Sequence, residues 1–140
     1  METCKVKKVM VFGVFDRLHA GHLSFLEQAV QYGDELIVVV ARDSSVKELK
    51  NKIPYHTQEE RIEAVRQSGH AYHVVLGDEK IGSYGVIKKY KPDMICLGYD
   101  QKELVKDIES CMARGELPLV EFAMMMPYNA ERFHTSLLTE

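Results

Sequence analysis

Two short runs constrain this chain most: Lys7–Phe15 (KKVMVFGVF) and Asp34–Ala41 (DELIVVVA) are apolar at odd and even positions alike. A strand with one face in water alternates. A strand that is apolar on both faces has to be covered on both, as the central strands of a parallel sheet are. Between the two runs, Gly21–Tyr32 places Leu23, Leu26, Ala29 and Val30 on one helical stripe, with Gly33 expected as the C-cap residue. Strand, helix and strand therefore fit a single right-handed crossover unit.

The alternation continues along the chain. Arg42–Pro54 reads as a solvated helix and loop, crowded with Lys47, Lys50 and Lys52, and TQEE from Thr57 opens a helix with a capping box that stops at Gly69. Tyr72–Leu76 reads as a strand, Ser83–Tyr90 as a helix ended by Lys91-Pro92, and Asp93–Gly98 as a buried strand. A helix over Lys102–Arg114, a last strand over Leu119–Met125 and a short terminal helix capped near Thr135 or Ser136 complete the pattern. The expected architecture is α/β: a Rossmann-like, doubly wound parallel sheet of about five strands, forming one domain over residues 1–140. Ligands of such sheets sit outside the carboxyl ends of the strands, where the strand order reverses. Gly13–Asp16, Ala41–Asp43, Gly98–Asp100 and Met125–Tyr128 are thus expected to converge on one crevice.

Charge narrows the partners. The formal net charge is −3, so no basic field marks a general nucleic-acid binder. Met1–Lys8 is charged where a secretory leader would be apolar, and no apolar run approaches the length of a membrane span. A cytoplasmic protein with neither nucleic-acid nor membrane partners is expected. Cys4, Cys96 and Cys111 are odd in number and widely spaced, which suggests reduced thiols.

The chemistry gathers in Val11–His22, VFGVFDRLHAGH, which reads as a strand end, a turn and a helix start. A helix start offers unpaired N–H groups and the positive end of the macrodipole, and glycines at 13 and 21 allow a close approach to the backbone. His19 and His22 can donate hydrogen bonds to non-bridging oxygens on either side of one phosphorus. Either histidine alone reads more readily as a cap or a surface residue than as a catalytic group. His-x-x-His is also a zinc spacing, but His56, His70, His73 and His134 fall in unrelated segments and Asp16 is near only in sequence. No protein-held metal is expected, whereas a divalent ion such as magnesium, carried on substrate phosphates, is.

GVFDRLHAGH resembles the G-T-F-D-x-L-H-x-G-H signature of the cytidylyltransferase-like nucleotidyltransferases. ELIVVVARDSSVKELK, YHTQEER, KPDMICLGYDQ and the terminal HTSLL extend the resemblance to the archaeal-type FAD synthases, which adenylylate FMN with ATP. The resemblance implies that His19 and His22 stabilise charge growing on the phosphates. It also implies that Val14, Phe15 and Gly21 meet the nucleotide through backbone, that Asp100 lies near the nucleoside and that Tyr128 lines the base or ribose pocket. Lys47 would reach a phosphate, Arg61 would sit at the mouth of the site as a second phosphate-binding candidate, and Thr135 and Ser136 would be further phosphate-binding candidates; a homodimer is implied as well. For Arg61 the competing reading is a surface pairing with a glutamate, and for Asp100 the N-cap of the next helix. Val14 stands where the family often has threonine, and no basic residue follows HTSLL, a gap that Arg132 is placed to fill. Met124–Met126 with Tyr128 and Phe133 offers a flat apolar surface for a flavin ring or, alternatively, a core strand leading to a dimer contact. The competing functions are cytidylyl transfer from CTP to glycerol 3-phosphate or another polyol or sugar phosphate, adenylyl transfer to another phosphate, and a nucleotide sensor without turnover.

Overall fold

In the computed structural model, residues 6–98 and 100–127 are described. The elements are β1 (Lys8–Gly13), α1 (Ala20–Ala29), β2 (Glu35–Val40), α2 (Asp43–Lys50), α3 (Gln58–Ser68), β3 (His73–Leu76), α4 (Gly85–Tyr90), β4 (Met94–Leu97), α5 (Lys102–Ala113) and β5 (Glu121–Met124). All strand pairs are parallel and the sheet order is β3-β2-β1-β4-β5. The order reverses between β1 and β4, which sets the switch point there.

The doubly apolar strands divide their side chains between two cores. Val9 and Val11 of β1, Leu36, Val38 and Val40 of β2 and Cys96 of β4 pack with Leu26 of α1 and Val65 of α3. Met10, Ile37, Val39, Ile95 and Leu97 point the other way and pack with Val86 and Ile87 of α4 and Ile108 and Cys111 of α5. Period-two alternation thus places one helical pair on each face, which explains why no residue in the middle of these strands is polar. Burial pushes the Cys96 thiol up to about 11, so it stays protonated and packs as a small hydrophobe.

The expected helix starts and stops recur with local adjustments. Thr57 Oγ1 accepts the Glu60 N–H at 3.1 Å while Glu60 accepts the Thr57 N–H at 2.9 Å, and Gly69 ends α3 at φ 84°. Gly33 differs from its expected role. α1 tightens into a 3₁₀ turn over Val30–Tyr32, and Gly33 follows with extended backbone. A Cβ on Gly33 would lie 2.6 Å from Val9 Cγ2, so glycine is needed for the close approach to β1 rather than for a left-handed cap. The α5 N-cap is Gln101, not Asp100. The expected terminal helix lies outside the described residues, among which no helix is long and apolar enough to cross a membrane.

Candidate active site

β1 and β2 stay paired through Gly13 and Val40, but the β1–β4 pairing ends at Val11 and Cys96. Gln101 takes over beyond that point: its amide N–H donates to the Phe12 carbonyl at 2.8 Å and its Oε1 accepts the Gly98 N–H at 2.9 Å. One side chain therefore bridges the two strands where they part at the switch point. Asp100 is exposed beside it, close over Gly98.

After β1 the chain makes a tight turn with Phe15 at φ 55° and Arg17 at φ 52°. Left-handed backbone at non-glycine residues stores strain and needs outside support. Asp16, between them, supplies it by accepting the N–H groups of Tyr55 at 2.6 Å and His56 at 2.9 Å. Burial pushes the Asp16 carboxyl up, but those two hydrogen bonds and the charges of His56 and Arg61 outweigh it and hold the group below its ordinary range. Asp16 therefore meets a second segment across the site, which its sequence position alone did not suggest. Phe15 is buried with its ring against His22 and Phe25, at centroid distances of 5.6 and 6.5 Å. Gly13 makes room for that ring, since a Cβ there would lie 2.7 Å from it.

The histidines open α1 as a linked pair. His19 Nδ1 accepts the Gly21 N–H at 3.0 Å, and His22 Nδ1 accepts the His19 N–H at 3.2 Å. Both Nδ1 lone pairs are thereby occupied, so each neutral ring carries its proton on Nε2. The rings stack at 4.0 Å, and neither Nε2 has a hydrogen-bond partner among the described residues. Burial and then the neighbouring His19 hold the His22 pKa below its ordinary value, against a smaller opposing effect of Asp16. The N–H of Gly21, expected to face a phosphate, is spent on the His19 cap.

Arg61 is not at the mouth of the site. It is 1% exposed, and its guanidinium donates to the carbonyls of Val14 at 2.9 Å, Ala41 at 2.8 Å and His56 at 3.2 Å, and to the Asp43 carboxylate at 2.6 Å. The surface pairing with a glutamate does not form, because three carbonyls left over at strand and loop ends take up one multidentate donor. Asp43 and Gln58 add a reciprocal pair, Asp43 N–H to Gln58 Oε1 at 2.9 Å and Gln58 N–H to Asp43 Oδ2 at 3.2 Å. Lys47 is exposed on α2 and makes no ion pair with a described residue. Gln28 of α1 holds Met126 through both its backbone groups, at 2.9 and 2.8 Å. Tyr128, Arg132, Phe133, Thr135 and Ser136 lie outside the described residues.

The convergence expected at the strand ends is therefore seen for the turn after β1, the start of α2 and the chain after β4. Sequence reading missed Asp16, Asp43, Gln101 and Gln28 as positioning groups. Asp16 and Asp43 carried a signal, a lone carboxylate directly after an apolar strand, while the two glutamines carried none. Among the described residues no group of three histidine, cysteine or carboxylate side chains is placed to hold a metal. Two concavities, lined in part by Gly33, His70 and Tyr72 and by Pro92 and Leu119, lie at the opposite, amino-terminal edge of the sheet, and neither is lined by His19 or His22.

A doubly wound sheet that presents a helix start and paired imidazole N–H donors at its switch point belongs to the class of nucleotide-binding α/β folds. The chain belongs to the cytidylyltransferase-like family, whose model matches residues 10–139. It is 48% identical to an FAD synthase of Pyrococcus abyssi over 92% of this chain and 87% of that one. It is 38% identical to an FAD synthase of Pyrococcus horikoshii over 95% and 90%. The crystal structure of the lipopolysaccharide core biosynthesis protein from Thermoplasma volcanium superposes with a TM-score of 0.81 at 34% identity, covering 89% of this chain and 100% of that one.

Proposed function

We propose that this chain is an FMN adenylyltransferase, converting ATP and FMN to FAD and pyrophosphate in the cytoplasm. The likeness to FAD synthases over nine-tenths of the chain carries the choice of substrates, and the geometry of the histidine pair supports the choice of bond. An oxygen of the FMN phosphate attacks the α-phosphorus of ATP. The bond from that phosphorus to the bridging oxygen breaks, and its electron pair leaves with pyrophosphate. The attacking phosphate is already anionic at neutral pH, so no general base is needed; positioning and electrostatics supply the catalysis.

His19 and His22 are the donors. With Nδ1 occupied, each directs a fixed Nε2–H outward, an arrangement that needs no reorganisation as charge grows on the phosphate oxygens. Val14 and Phe15 meet the nucleotide through backbone, with the Val14 carbonyl already held by Arg61. Asp100 and Tyr128 serve the nucleoside, while Lys47, Thr135 and Ser136 serve phosphates. A divalent cation such as magnesium enters on the phosphates of ATP, and the active form is a homodimer.

The test is to incubate the protein and a magnesium salt with ATP or CTP and with FMN or glycerol 3-phosphate, measuring pyrophosphate and the nucleotide product. FAD from ATP with FMN alone is the expected result. CDP-glycerol from CTP, with no FAD, would replace this reading by cytidylyl transfer.

A further inference from the structure

Two molecules have to meet at the histidine pair, and the sheet order gives them opposite sides. Asp100 follows β4, on the β4–β5 side of the sheet, where the nucleoside is placed above. The β2 side carries α2, α3 and the connection 51–57 between them.

That connection exposes large apolar side chains. Ile53 is 76% exposed and Tyr55 73%, next to Leu49 at the end of α2. Yet the backbone under Tyr55 is fixed: Asp16 holds the N–H groups of Tyr55 and His56, and Pro54 precedes them. Arg17, from the same turn that leads to His19, places its guanidinium 4.7 Å over the Tyr55 ring, and the His56 ring meets Tyr55 edge-on at 4.9 Å. An exposed aromatic ring held this firmly by the histidine-bearing turn is a preorganised stacking surface. The Arg17 guanidinium on the ring supplies positive charge at the stacking surface itself, with Glu60 engaged by His56 at 3.5 Å, which suits a ligand that joins a flat ring to an anionic phosphate.

We infer that Tyr55 and Arg17 form the subsite for the planar ring of the phosphate-bearing acceptor. This rests on the FMN reading above, and it places the isoalloxazine on the β2 side rather than against Met124–Met126. Tyr55→Ala leaves the Asp16 tie in place, because that tie is to backbone N–H groups.

The experiment measures KM for FMN and for ATP, and quenching of flavin fluorescence on binding, in the wild type, Tyr55→Ala, Tyr55→Phe, Arg17→Ala and Met126→Ala. Expected is a roughly fivefold to tenfold weaker FMN interaction in Tyr55→Ala and Arg17→Ala, the scale of one lost stacking contact. Tyr55→Phe should bind FMN like the wild type, and KM for ATP should hold in all four variants. An unchanged FMN KM in Tyr55→Ala, or a loss found only in Met126→Ala, overturns the subsite while FAD formation stands. A wild type that forms no FAD overturns the functional reading and the subsite with it.

Discussion

His22 accepts the backbone N–H of His19 through Nδ1 at 3.2 Å, and the two rings stack at 4.0 Å. The helix cap and the proposed phosphate donors are thus opposite edges of the same rings, and substitution can separate them. Asparagine imitates Nδ1 and glutamine imitates Nε2. His19→Asn should keep its stability, whereas His19→Gln should lose about 1 kcal/mol, the usual worth of an N-cap. Urea unfolding of the two variants checks this, and equal losses would remove the cap from the account.

The same arrangement makes stability depend on pH. Burial, followed by the neighbouring His19, lowers the His22 pKa from the ordinary 6.5. A histidine with a depressed folded pKa binds protons more readily when unfolded. Its contribution is complete above about pH 6.5 and is lost as the pH falls through the folded value. Urea midpoints should therefore drop between pH 8 and pH 5, and less steeply in His22→Asn. An identical slope in both proteins would contradict the assignment.

Arg61 separates a structural from a ligand role. If its hydrogen bonds to Val14, Ala41, His56 and Asp43 are what matter, Arg61→Leu should lose about 2–4 kcal/mol without any nucleotide present. Arg61→Lys should recover little, because an ammonium cannot reproduce the planar fork. A variant of native stability with only a raised KM for ATP would return Arg61 to the phosphates.

Gln101→Leu should strand the Phe12 carbonyl and the Gly98 N–H. The expected cost is about 1–3 kcal/mol, with a higher KM for ATP than for the wild type. Hydrogen exchange should quicken at Gly98; unchanged protection there would show that the bridge is not formed in solution.

Much of the architecture is legible in residue pattern, because a strand buried on both faces admits few alternatives. Val9 and Met10, neighbours in β1, enter opposite cores for that reason. Thr57 and Glu60 likewise announce their helix, since a capping box is local. The burial of Arg61 is not legible in sequence, because its partners are backbone carbonyls at positions 14, 41 and 56, which leave no mark on side-chain pattern. The role of Gly33 is not legible either, because an extended glycine packed on β1 and a left-handed cap look alike in sequence. Gln101 and Gln28 bridge 89 and 98 positions, distances that only the fold can close.

Single-turnover formation of FAD at saturating ATP and FMN, compared between the wild type, His19→Asn and His22→Asn, decides whether the paired imidazoles act on the phosphates. The wild type should form FAD with equimolar pyrophosphate, and chemistry should slow roughly 10²-fold or more in each variant, with ATP binding much less affected. Wild-type rates in both variants would contradict that role.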